Sequence, residues 1–485
     1  MNTKLIKITE PEVIEKNNKV SDITVGIDFG TTNSVSCLWI DGKKYVASQG
    51  GAIEIDDMRF KSSYGEGMLP SCVAFKKDGS ILAGNEALEK EDDDEYVVMK
   101  SMKRLVSFNK DDVDIGFIGG FDSRLSLVVE DDGGEVLVEV FGRRYRCHDI
   151  IKIMIEYILK VSNKSFQKIC GDKVTGCVIT VPAHFNQMAR CMVKDAAKDA
   201  GFNVKRLINE PTAGALAYSL NNDHKGMYVV YDFGGGTFDV SVLKYRKGIL
   251  RIVSNSGDNM LGGDDIDEKI KGLIVNKDPN LGQNQMLAKS MAKKIKHYFQ
   301  GKSEQSENEI NLHGIKEDEY NDAVMPIIDR TIKITEDAIK KSEVDFKKID
   351  AIILIGGSTY DPRIKESLTR RFDCKVLDDI NPDISVAVGA AMQGAILDKR
   401  FEDRLLIDVS PLSIGIETAF GVNEKLIKRN TPIPITVSEQ FTTSKDNQTG
   451  ITINVLQGES DIAKECKKNW TCVIKRYTAN DRRTS

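Results

Sequence analysis

A chain of 485 residues with 41% hydrophobic and 29% charged side chains has the composition of a folded protein and not of a disordered one. Its 68 basic and 73 acidic residues nearly balance, which argues against a dedicated nucleic-acid-binding protein. No run of residues approaches the ~20 apolar positions that a membrane-spanning helix needs, so we expect no membrane partner.

The N-terminus and the cysteines favour a cytoplasmic protein. Residues 1–22 carry charges throughout and lack the apolar segment of a secretion signal, so we predict a polar leader there. Nine cysteines are scattered along the chain without a Cys-x-x-Cys pair, an arrangement typical of reduced thiols. We therefore expect a cytoplasmic location.

Strands and helices alternate through the first four fifths of the chain. In chain order, the pattern predicts a strand over 23–27, a helix over 149–165, a strand over 176–181, a helix over 188–200, and strands over 226–232 and 351–355. This alternation predicts an α/β fold in which helices pack on sheets.

Near residue 400 the pattern changes to short strands separated by turns, as at 433–437 and 450–456, which is typical of a β-sandwich. We therefore predict several regions in addition to the leader: an α/β domain over 23–398, a linker over 399–410, a partial β-sandwich over 411–465 and a divergent basic tail over 466–485.

One turn pattern occurs twice in the predicted α/β domain. Asp28 ends a strand ahead of Gly30-Thr31-Thr32, and Asp232 ends another ahead of the Gly/Thr turn at 234–237. A third turn, Gly356-Gly357-Ser358-Thr359, also follows an apolar strand. The first two turns are about 200 residues apart, too far for a solenoid repeat, which indicates a duplicated domain with two lobes across a cleft.

These turns have the composition of a phosphate site. Glycine and small hydroxylated residues let backbone N–H groups converge on phosphate oxygens, and an aspartate at the strand end can hold Mg²⁺ through water. The alternative, ordinary hairpin turns, does not explain an aspartate before both turns. A Walker-type ATPase is excluded because the chain lacks the Gly-x-x-x-x-Gly-Lys-Ser/Thr motif.

The chain resembles the 70-kDa heat-shock (DnaK-like) chaperone family, within the actin-like ATPase fold, almost continuously from Val25 to about Gly458. The segments that carry this resemblance are 26–34, 103–105, 180–186, 209–213, 232–239, 381–383 and 388–391. Within the family the chain is most similar to the HscA type, which serves iron–sulfur cluster assembly, at 5–11, 258–265 and around 457–466.

The resemblance implies an actin-like two-lobed ATPase domain, built from duplicated ribonuclease-H-like lobes, followed by a partial β-sandwich that binds substrate. It also implies an ATP-dependent chaperone that uses ATP or ADP with Mg²⁺, and K⁺ as a further candidate cation. The implied partners are a J-domain cochaperone and an iron–sulfur scaffold protein or an unfolded peptide client.

Three alternatives to an HscA-like chaperone remain open at this stage. They are a general-purpose DnaK-like folding chaperone, a decayed ATP-binding remnant or regulatory module without chaperone activity, and an actin-like filament former. The linker and the sandwich-like sequence after Leu405 disfavour the filament former.

The resemblance assigns roles in the ATPase domain. Lys103 would approach the γ-phosphate, Thr237 would orient near it, and Asp28 and Asp232 would hold the metal. Alone, Lys103 would be interpreted as a surface lysine. The other catalytic residues implied are Glu210 and Asp239, and the nucleotide-binding residues are Gly30, Thr31, Thr32, Asn33, Gly234, Gly235, Gly236, Gly263, Asp264, Lys296, Gly356, Gly357, Ser358, Tyr360 and Asp383.

Two further groups of residues match functional positions of the family. Those implied in coupling between domains are Pro182, Arg190, Leu405, Leu406 and Asp408, and those on positions that line the peptide cleft are Ala419, Phe441, Ser444 and Ile451.

The sequence departs from the family at the adenosine pocket and after Gly458. Lys293 replaces the usual glutamate, Gln300 the usual serine and Tyr360 the usual arginine. We therefore expect weaker ATP binding than is typical of the family, with hydrolysis retained. Because the family continues well beyond Gly458, we also expect a truncated substrate domain with a small residue, Ala419, at its arch. A frameshift or a truncated reading frame explains the tail better than the alternative, a basic segment that contacts an anionic partner.

Overall fold

The structure is a computed structural model that describes residues 4–9, 23–55, 67–107, 124–129, 136–183, 185–219, 225–283, 285–301, 312–400, 405–410, 412–433, 435–441 and 450–475. The chain divides into two compact units. The larger unit comprises 14–185 and 189–406, and the smaller unit comprises 1–13, 186–188 and 407–485.

The strands in the described residues, β1 to β26 in chain order, are Lys4–Thr9, Thr24–Asp28, Asn33–Ile40, Lys43–Ser48, Gly51–Glu54, Leu69–Pro70, Val73–Lys76, Ile81–Ala83, Tyr96–Met99, Ser126–Val129, Val136–Val140, Arg143–Arg146, Gly176–Val181, Asn203–Asn209, Gly226–Phe233, Phe238–Arg246, Ile249–Asp258, Ala351–Ile355, Lys375–Leu377, Leu405–Val409, Ile414–Glu417, Asn423–Ile427, Pro432–Ile433, Thr436–Phe441, Gly450–Gln457 and Lys467–Lys475.

The α-helices in the same residues, α1 to α9, are Asn85–Leu88, Cys147–Cys170, Gln187–Asp199, Glu210–Tyr218, Gly263–Lys277, Gln285–Phe299, Glu317–Lys341, Pro362–Phe372 and Ser385–Leu397. Short 3-10 helices lie at Met102–Ser107, Pro279–Gln283, Phe346–Lys348, Gly357–Tyr360, Ala419–Gly421 and Ala463–Glu465. Among the described residues, no helix combines the length and the apolar character needed to cross a membrane.

The larger unit contains the same strand arrangement twice. In the first sheet, the strand order is β14-β13-β2-β3-β4-β5, and in the second it includes β19-β18-β15-β16-β17. In each sheet one strand has a parallel neighbour on one side and an antiparallel neighbour on the other. In the first sheet β2 lies between the parallel β13 and the antiparallel β3, and in the second β15 lies between the parallel β18 and the antiparallel β16. The turn after β2 and the turn after β15 therefore occupy equivalent places.

Helix α9 is buried in the larger unit, where it packs against α4 and against β2 and β3 of the first sheet. Its side chains from Ser385 to Ala395 are buried, and its sequence is apolar all around, as expected of a core helix. Glycine makes its close packing possible. A Cβ on Gly26 of β2 would lie 1.9 Å from the backbone nitrogen of Ala391, and one on Gly389 would lie 1.8 Å from the carbonyl oxygen of Ala213 in α4. The backbones of α9, β2 and α4 therefore meet without side chains between them.

The smaller unit is built from antiparallel strands. Its largest sheet has the strand order β22-β21-β25-β26, and β20 pairs with β23. The small core of this unit contains Ile414, Ile427 and Val455, with Ile435 and Val437 packed against it. A second pairing joins β1 to β24, antiparallel, with Lys4 opposite Phe441 and Thr9 opposite Thr436.

The structure differs from the predicted elements in three places. The helix predicted over 149–165 is longer, Cys147–Cys170, and ends at Gly171, whose φ of 74° is left-handed. The strand predicted over 433–437 is two strands, β23 and β24. The polar leader contains β1, which sequence reasoning missed because its lysines are interspersed with aliphatic residues and its partner strand is remote in sequence.

Phe420 is held in an unfavourable backbone conformation. Its φ is 66° and its ψ is 16°, and its side chain is fully exposed between Ala419 and Gly421. A left-handed conformation costs a residue with a Cβ about 1–2 kcal/mol. The exposed ring makes no buried contact that would offset this cost.

We expect Phe420→Gly to stabilise the smaller unit by about 0.5–1 kcal/mol, because relief of the left-handed strain exceeds the added flexibility of glycine in the unfolded chain. Urea unfolding followed by a probe in the smaller unit measures this change. Phe420→Ala is the matched control, since it removes the ring but keeps the Cβ, and should give no gain. Equal effects of the two variants would contradict the strain argument.

Candidate functional site

A cavity of about 470 Å³ lies in the larger unit, where the turns that follow β2, β15 and β18 meet. Most of the predicted catalytic, metal and nucleotide residues line it, namely Asp28, Gly30, Thr31, Thr32, Asn33, Lys103, Glu210, Asp232, Gly234, Gly235, Thr237, Asp264, Lys296, Gly356, Gly357, Ser358 and Asp383. The structure therefore brings the three Gly-rich turns of the sequence to one cavity.

The turns approach each other too closely for side chains. A Cβ on Gly235 would lie 2.1 Å from the hydroxyl oxygen of Thr32, and one on Gly356 would lie 2.7 Å from Oδ1 of Asp232. Gly356 also has a φ of 83°. The Ser358 hydroxyl donates to the Gly234 carbonyl at 2.8 Å, which fixes the third turn against the second.

Lys103 and Glu210 form a buried ion pair at the cavity. Lys103 lies in the 3-10 helix Met102–Ser107, and Glu210 is the first residue of α4. Their side chains are 2% and 9% exposed, so both charges are withdrawn from water. The interpretation of Lys103 as a surface lysine therefore does not hold.

Three aspartates surround this pair. Asp28 accepts a hydrogen bond from the Thr180 hydroxyl at 3.0 Å, and Asp239 accepts one from the backbone N–H of Ala183 at 2.8 Å. Asp232 of β15 lies directly opposite Asp239 of β16, so that their side chains share one face of the hairpin. The cluster thus places several carboxylates close to one ammonium group.

Burial and like charge raise the pKa values of these carboxyl groups. Burial raises the pKa of Glu210 to about 7, although Lys103 opposes the shift and Asp28 and Asp239 add to it. The pKa of Asp232 is raised well above its usual range, first by burial and then by Glu210 and the other aspartates. Burial also raises the pKa of Asp28, against the effects of Lys103 and the Thr180 hydroxyl. The cluster has an excess of negative charge that a cation would stabilise.

The residues present fit a hydrated divalent cation. Hard cations such as Mg²⁺ take carboxylate oxygens and keep several waters. Within the described ranges, no three Asp, Glu, His or Cys side chains form a group that could hold an ion together. Asp28 and Asp232 line the cavity and carry the excess charge, so they would hold such an ion largely through water.

Helices α5 and α6 form the opposite end of the cavity. The Lys296 ammonium lies 2.7 Å from a carboxylate oxygen of Asp267 and donates to the Gly263 carbonyl at 3.0 Å. Lys293 and Gln300, the residues that depart from the family pattern, also line the cavity. The Nε2 atom of Gln300 is buried and makes no hydrogen bond within the described residues, so it is available to a ligand.

Four predicted site residues do not line the cavity, namely Gly236, Asp239, Gly263 and Tyr360. Tyr360 donates a hydrogen bond to Asp383 at 3.3 Å, and Asp383 lines the cavity. A Cβ on Gly236 would lie 2.5 Å from the side chain of Thr31, so Gly236 permits the contact between two turns. Each of these residues touches one that faces the ligand space.

Arg190 and Pro182, two of the predicted coupling residues, lie beside the carboxylate cluster. The Arg190 guanidinium donates to the carbonyl oxygens of Pro182, Ala183 and Phe185 and to the side-chain oxygen of Asn209, at 2.6–3.4 Å. Arg190 therefore holds the loop after β13. That loop also supplies the Ala183 N–H that binds Asp239.

The other predicted coupling residues lie on β20, where Leu406 and Asp408 are buried and the backbone of Leu405 begins the strand. Among the predicted peptide-binding residues, the backbones of Ala419, Phe441 and Ile451 are described, in a 3-10 helix and in β24 and β25, whereas Ser444 lies outside the described residues. Their roles stay predictions.

Sequence reasoning missed three polar residues of the site. Thr180 orients Asp28, Asp267 pairs with Lys296, and Arg104 donates to the Gly236 carbonyl at 3.1 Å and to Asp265 at 3.0 Å. Arg104 and Thr180 lie inside segments that resemble the family, but the resemblance assigned them no role. For Asp267 the available signal was its place one turn after Asp264 on a helix that begins at the cavity.

Comparisons with known proteins agree with this geometry. A sequence model described as Hsp70 protein matches residues 24–474. The chaperone protein HscA homolog of Rickettsia prowazekii (strain Madrid E) is 39% identical over 465 residues, which cover 96% of this chain and 72% of the relative. The homologs of the same name from Rickettsia typhi and Rickettsia bellii are each 38% identical, over 96% of this chain and 72% and 71% of their own lengths.

We expect the stability of the metal-free chain to fall as the pH rises from about 5 to 7. The pKa of Glu210 is raised by folding to about 7, so in this window the folded chain keeps a proton that the unfolded chain has lost. Glu210→Gln should reduce the fall in the free energy of unfolding across this window by roughly 1–3 kcal/mol.

Urea unfolding in EDTA at several pH values measures this dependence. Glu89→Gln is the control, because Glu89 is exposed and does not itself line the cavity. The prediction is wrong if the two variants show the same pH dependence.

We expect Lys293→Glu to strengthen ADP binding roughly threefold to tenfold, because a carboxylate at this cavity position would accept a hydrogen bond from a ribose hydroxyl. Lys294→Glu introduces the same charge on the same helix at an exposed position that does not line the cavity. Isothermal titration of both variants with ADP and Mg²⁺ separates a specific contact from a general charge effect. Equal or weaker affinity for Lys293→Glu would exclude a ribose site beside Lys293.

Proposed function

Because the chain belongs to the Hsp70 family of ATP-dependent chaperones, we propose that it hydrolyses ATP in the cavity around Lys103 and thereby controls the binding of an extended peptide client. The predicted family, the predicted two-lobed ATPase fold and the predicted chaperone function are confirmed by the Hsp70 match and the HscA homologs. The alternative interpretations are not favoured by these findings.

The observation that supports hydrolysis is the buried Lys103–Glu210 pair beside the three glycine-rich turns. Phosphoryl transfer depends mostly on positioning and on stabilisation of charge. Lys103 is the cation of this pair, and its burial strengthens its attraction for a phosphoryl group because little water screens it. Thr237, at the end of the second turn, lines the same cavity and would orient the phosphate or the attacking water.

The carboxylates would serve the metal and the water. A bound Mg²⁺ would neutralise phosphate charge, and Asp28 and Asp232 are the residues that would hold it through water. Glu210, with a pKa near 7, is suited to accept or return a proton of the attacking water at physiological pH. Asp239 is held by the Ala183 N–H, so it would transmit the position of the Pro182 loop to the cluster.

The client side of the proposal follows the HscA resemblance. The relatives whose alignments cover 96% of this chain carry the name chaperone protein HscA homolog, so we assign this chain the corresponding role in iron–sulfur cluster assembly. Its partners would be a J-domain cochaperone and an extended segment of a scaffold protein. The peptide would bind on the smaller unit, whose strands carry the positions of Phe441 and Ile451.

We expect Lys103→Ala to lower the rate of ATP hydrolysis at least a hundredfold, because it removes the buried positive charge that stabilises the transition state. Nucleotide binding should persist, since the glycine-rich turns stay in place. Single-turnover hydrolysis and equilibrium titration with ATP and Mg²⁺ measure the two quantities separately.

Lys100→Ala is the matched control. Lys100 lies in the same segment, but its side chain is 41% exposed and pairs with Glu91 at 2.5 Å. Normal turnover in Lys103→Ala would refute the catalytic assignment.

A second experiment tests the chaperone role. A J-domain protein and a scaffold peptide should together raise the rate of ATP hydrolysis by the native chain. Turnover that is not stimulated, without peptide binding, would favour an isolated ATPase.

A further inference from the structure

Lys293 of α6 contributes a positive charge to the wall of the candidate nucleotide cavity. Among the described residues, its ammonium group forms no ion pair. The acidic side chains at this end of the cavity have other partners. Asp267 lies 2.7 Å from the Lys296 ammonium, and Asp264 accepts a hydrogen bond from the Ser101 hydroxyl at 2.8 Å. The charge of Lys293 is therefore available to a ligand.

The face of α6 at the cavity offers hydrogen-bond donors. Lys293, Lys296 and Gln300 are spaced by three and four residues, so they follow one face of the helix. Lys296 is engaged by Asp267 and by the Gly263 carbonyl. The Nε2 atom of Gln300 is buried and makes no hydrogen bond within the described part of the chain. Ammonium and amide N–H groups are complementary to a ligand that is rich in acceptors and carries negative charge.

The surroundings of Lys293 favour a bound anion. Its side chain is exposed, so a ligand in the cavity can reach it. Desolvation by the protein around it nevertheless lowers the pKa of the ammonium group, although Asp267 opposes this shift, and Lys296 adds to it. A charge that has lost part of its water gains more from a direct partner than a charge in bulk solvent does. An anionic group on the ligand would be such a partner.

The ribose is the part of a nucleotide that we expect beside Lys293. The glycine-rich turns and the carboxylates near Lys103 are suited to the phosphate chain and its metal, and α5 and α6 form the opposite end of the cavity. The nucleoside would therefore extend toward α6. Lys293 stands where the family usually has a glutamate. A glutamate accepts a hydrogen bond from a ribose hydroxyl but repels a phosphate, whereas a lysine attracts a phosphate.

We propose that the cavity takes nucleotides that carry a phosphate on the 2′ or 3′ oxygen of the ribose, with the Lys293 ammonium bound to that phosphate. This inference rests on the proposed function, because it names the class of nucleotide that the same site recognises. The replacement of glutamate by lysine then changes the specificity of the site and does not only weaken it. Both ribose positions present the same chemistry, and the experiment separates them.

Competition between nucleotides that differ by one phosphate tests this inference. A fluorescent ADP derivative labelled on its base is displaced from the full chain, with Mg²⁺ present, by AMP, adenosine 2′,5′-bisphosphate or adenosine 3′,5′-bisphosphate. We expect at least one bisphosphate to bind roughly tenfold more tightly than AMP, as a charge-assisted hydrogen bond allows. The preference should decrease at high salt, because ions screen the attraction. The preferred bisphosphate identifies the ribose oxygen that faces Lys293.

Four variants assign the preference to Lys293. Lys293→Gln should abolish it, Lys293→Glu should reverse it in favour of AMP, and Lys293→Arg should retain it because the charge is kept. Lys294→Gln is the matched control. It removes a charge from the neighbouring position of α6, which is exposed and does not line the cavity, so the preference for the bisphosphate should stay unchanged.

Equal affinity of the native chain for AMP and for both bisphosphates would overturn the inference. A preference that persists in Lys293→Gln would also overturn it, because another residue would then bind the added phosphate. If the ADP derivative binds and ATP is hydrolysed without such a preference, only this inference fails. If the derivative does not bind at all, the proposed nucleotide site fails, and this inference fails with it.

Discussion

The buried ion pair of Lys103 and Glu210 is the interaction on which the candidate site depends. Withdrawal of two charges from water costs several kcal/mol per ion unless each finds a partner. Lys103 comes from a 3-10 helix and Glu210 from the start of α4, so the pair forms only when both are correctly placed. Burial, followed by the neighbouring carboxylates, raises the pKa values of Glu210 and Asp232 although Lys103 lies beside them. Because the carboxyl groups of the cluster outnumber its one ammonium group, binding of a cation would stabilise it.

Duplicated sheets and close backbone packing create the space for this cluster. Parallel strands end at the same edge, so the turns after β2 and β15 reach corresponding positions in their sheets. Glycine at 235 and 356 lets the turns approach each other, and Gly26 lets α9 pack directly on β2. Larger side chains at these positions would separate the backbones whose N–H groups are suited to phosphate.

Local patterns were sufficient to predict the duplicated turns, because a buried strand, an aspartate and a glycine turn are adjacent in sequence. The roles of Lys103 and Glu210 were implied only by the family resemblance, since neither residue stands out alone, and their direct pairing was not predicted. Thr180 and Asp267 acquire their roles only from tertiary contacts. The pairing of β1 with β24 was missed for the same physical reason: its hydrogen bonds join segments from opposite ends of the chain, and neither strand identifies the other.

The register of β1 has a practical consequence for the preparation of this protein. Lys4 is the first paired residue, so an affinity tag fused ahead of Met1 would be joined almost directly to the edge of β24. Such a tag would place foreign, often histidine-rich sequence beside the strand that carries Phe441. A purification tag at this end would therefore perturb the pairing of β1 with β24, whereas a tag that is removed, or attached elsewhere, would leave the N-terminal strand intact.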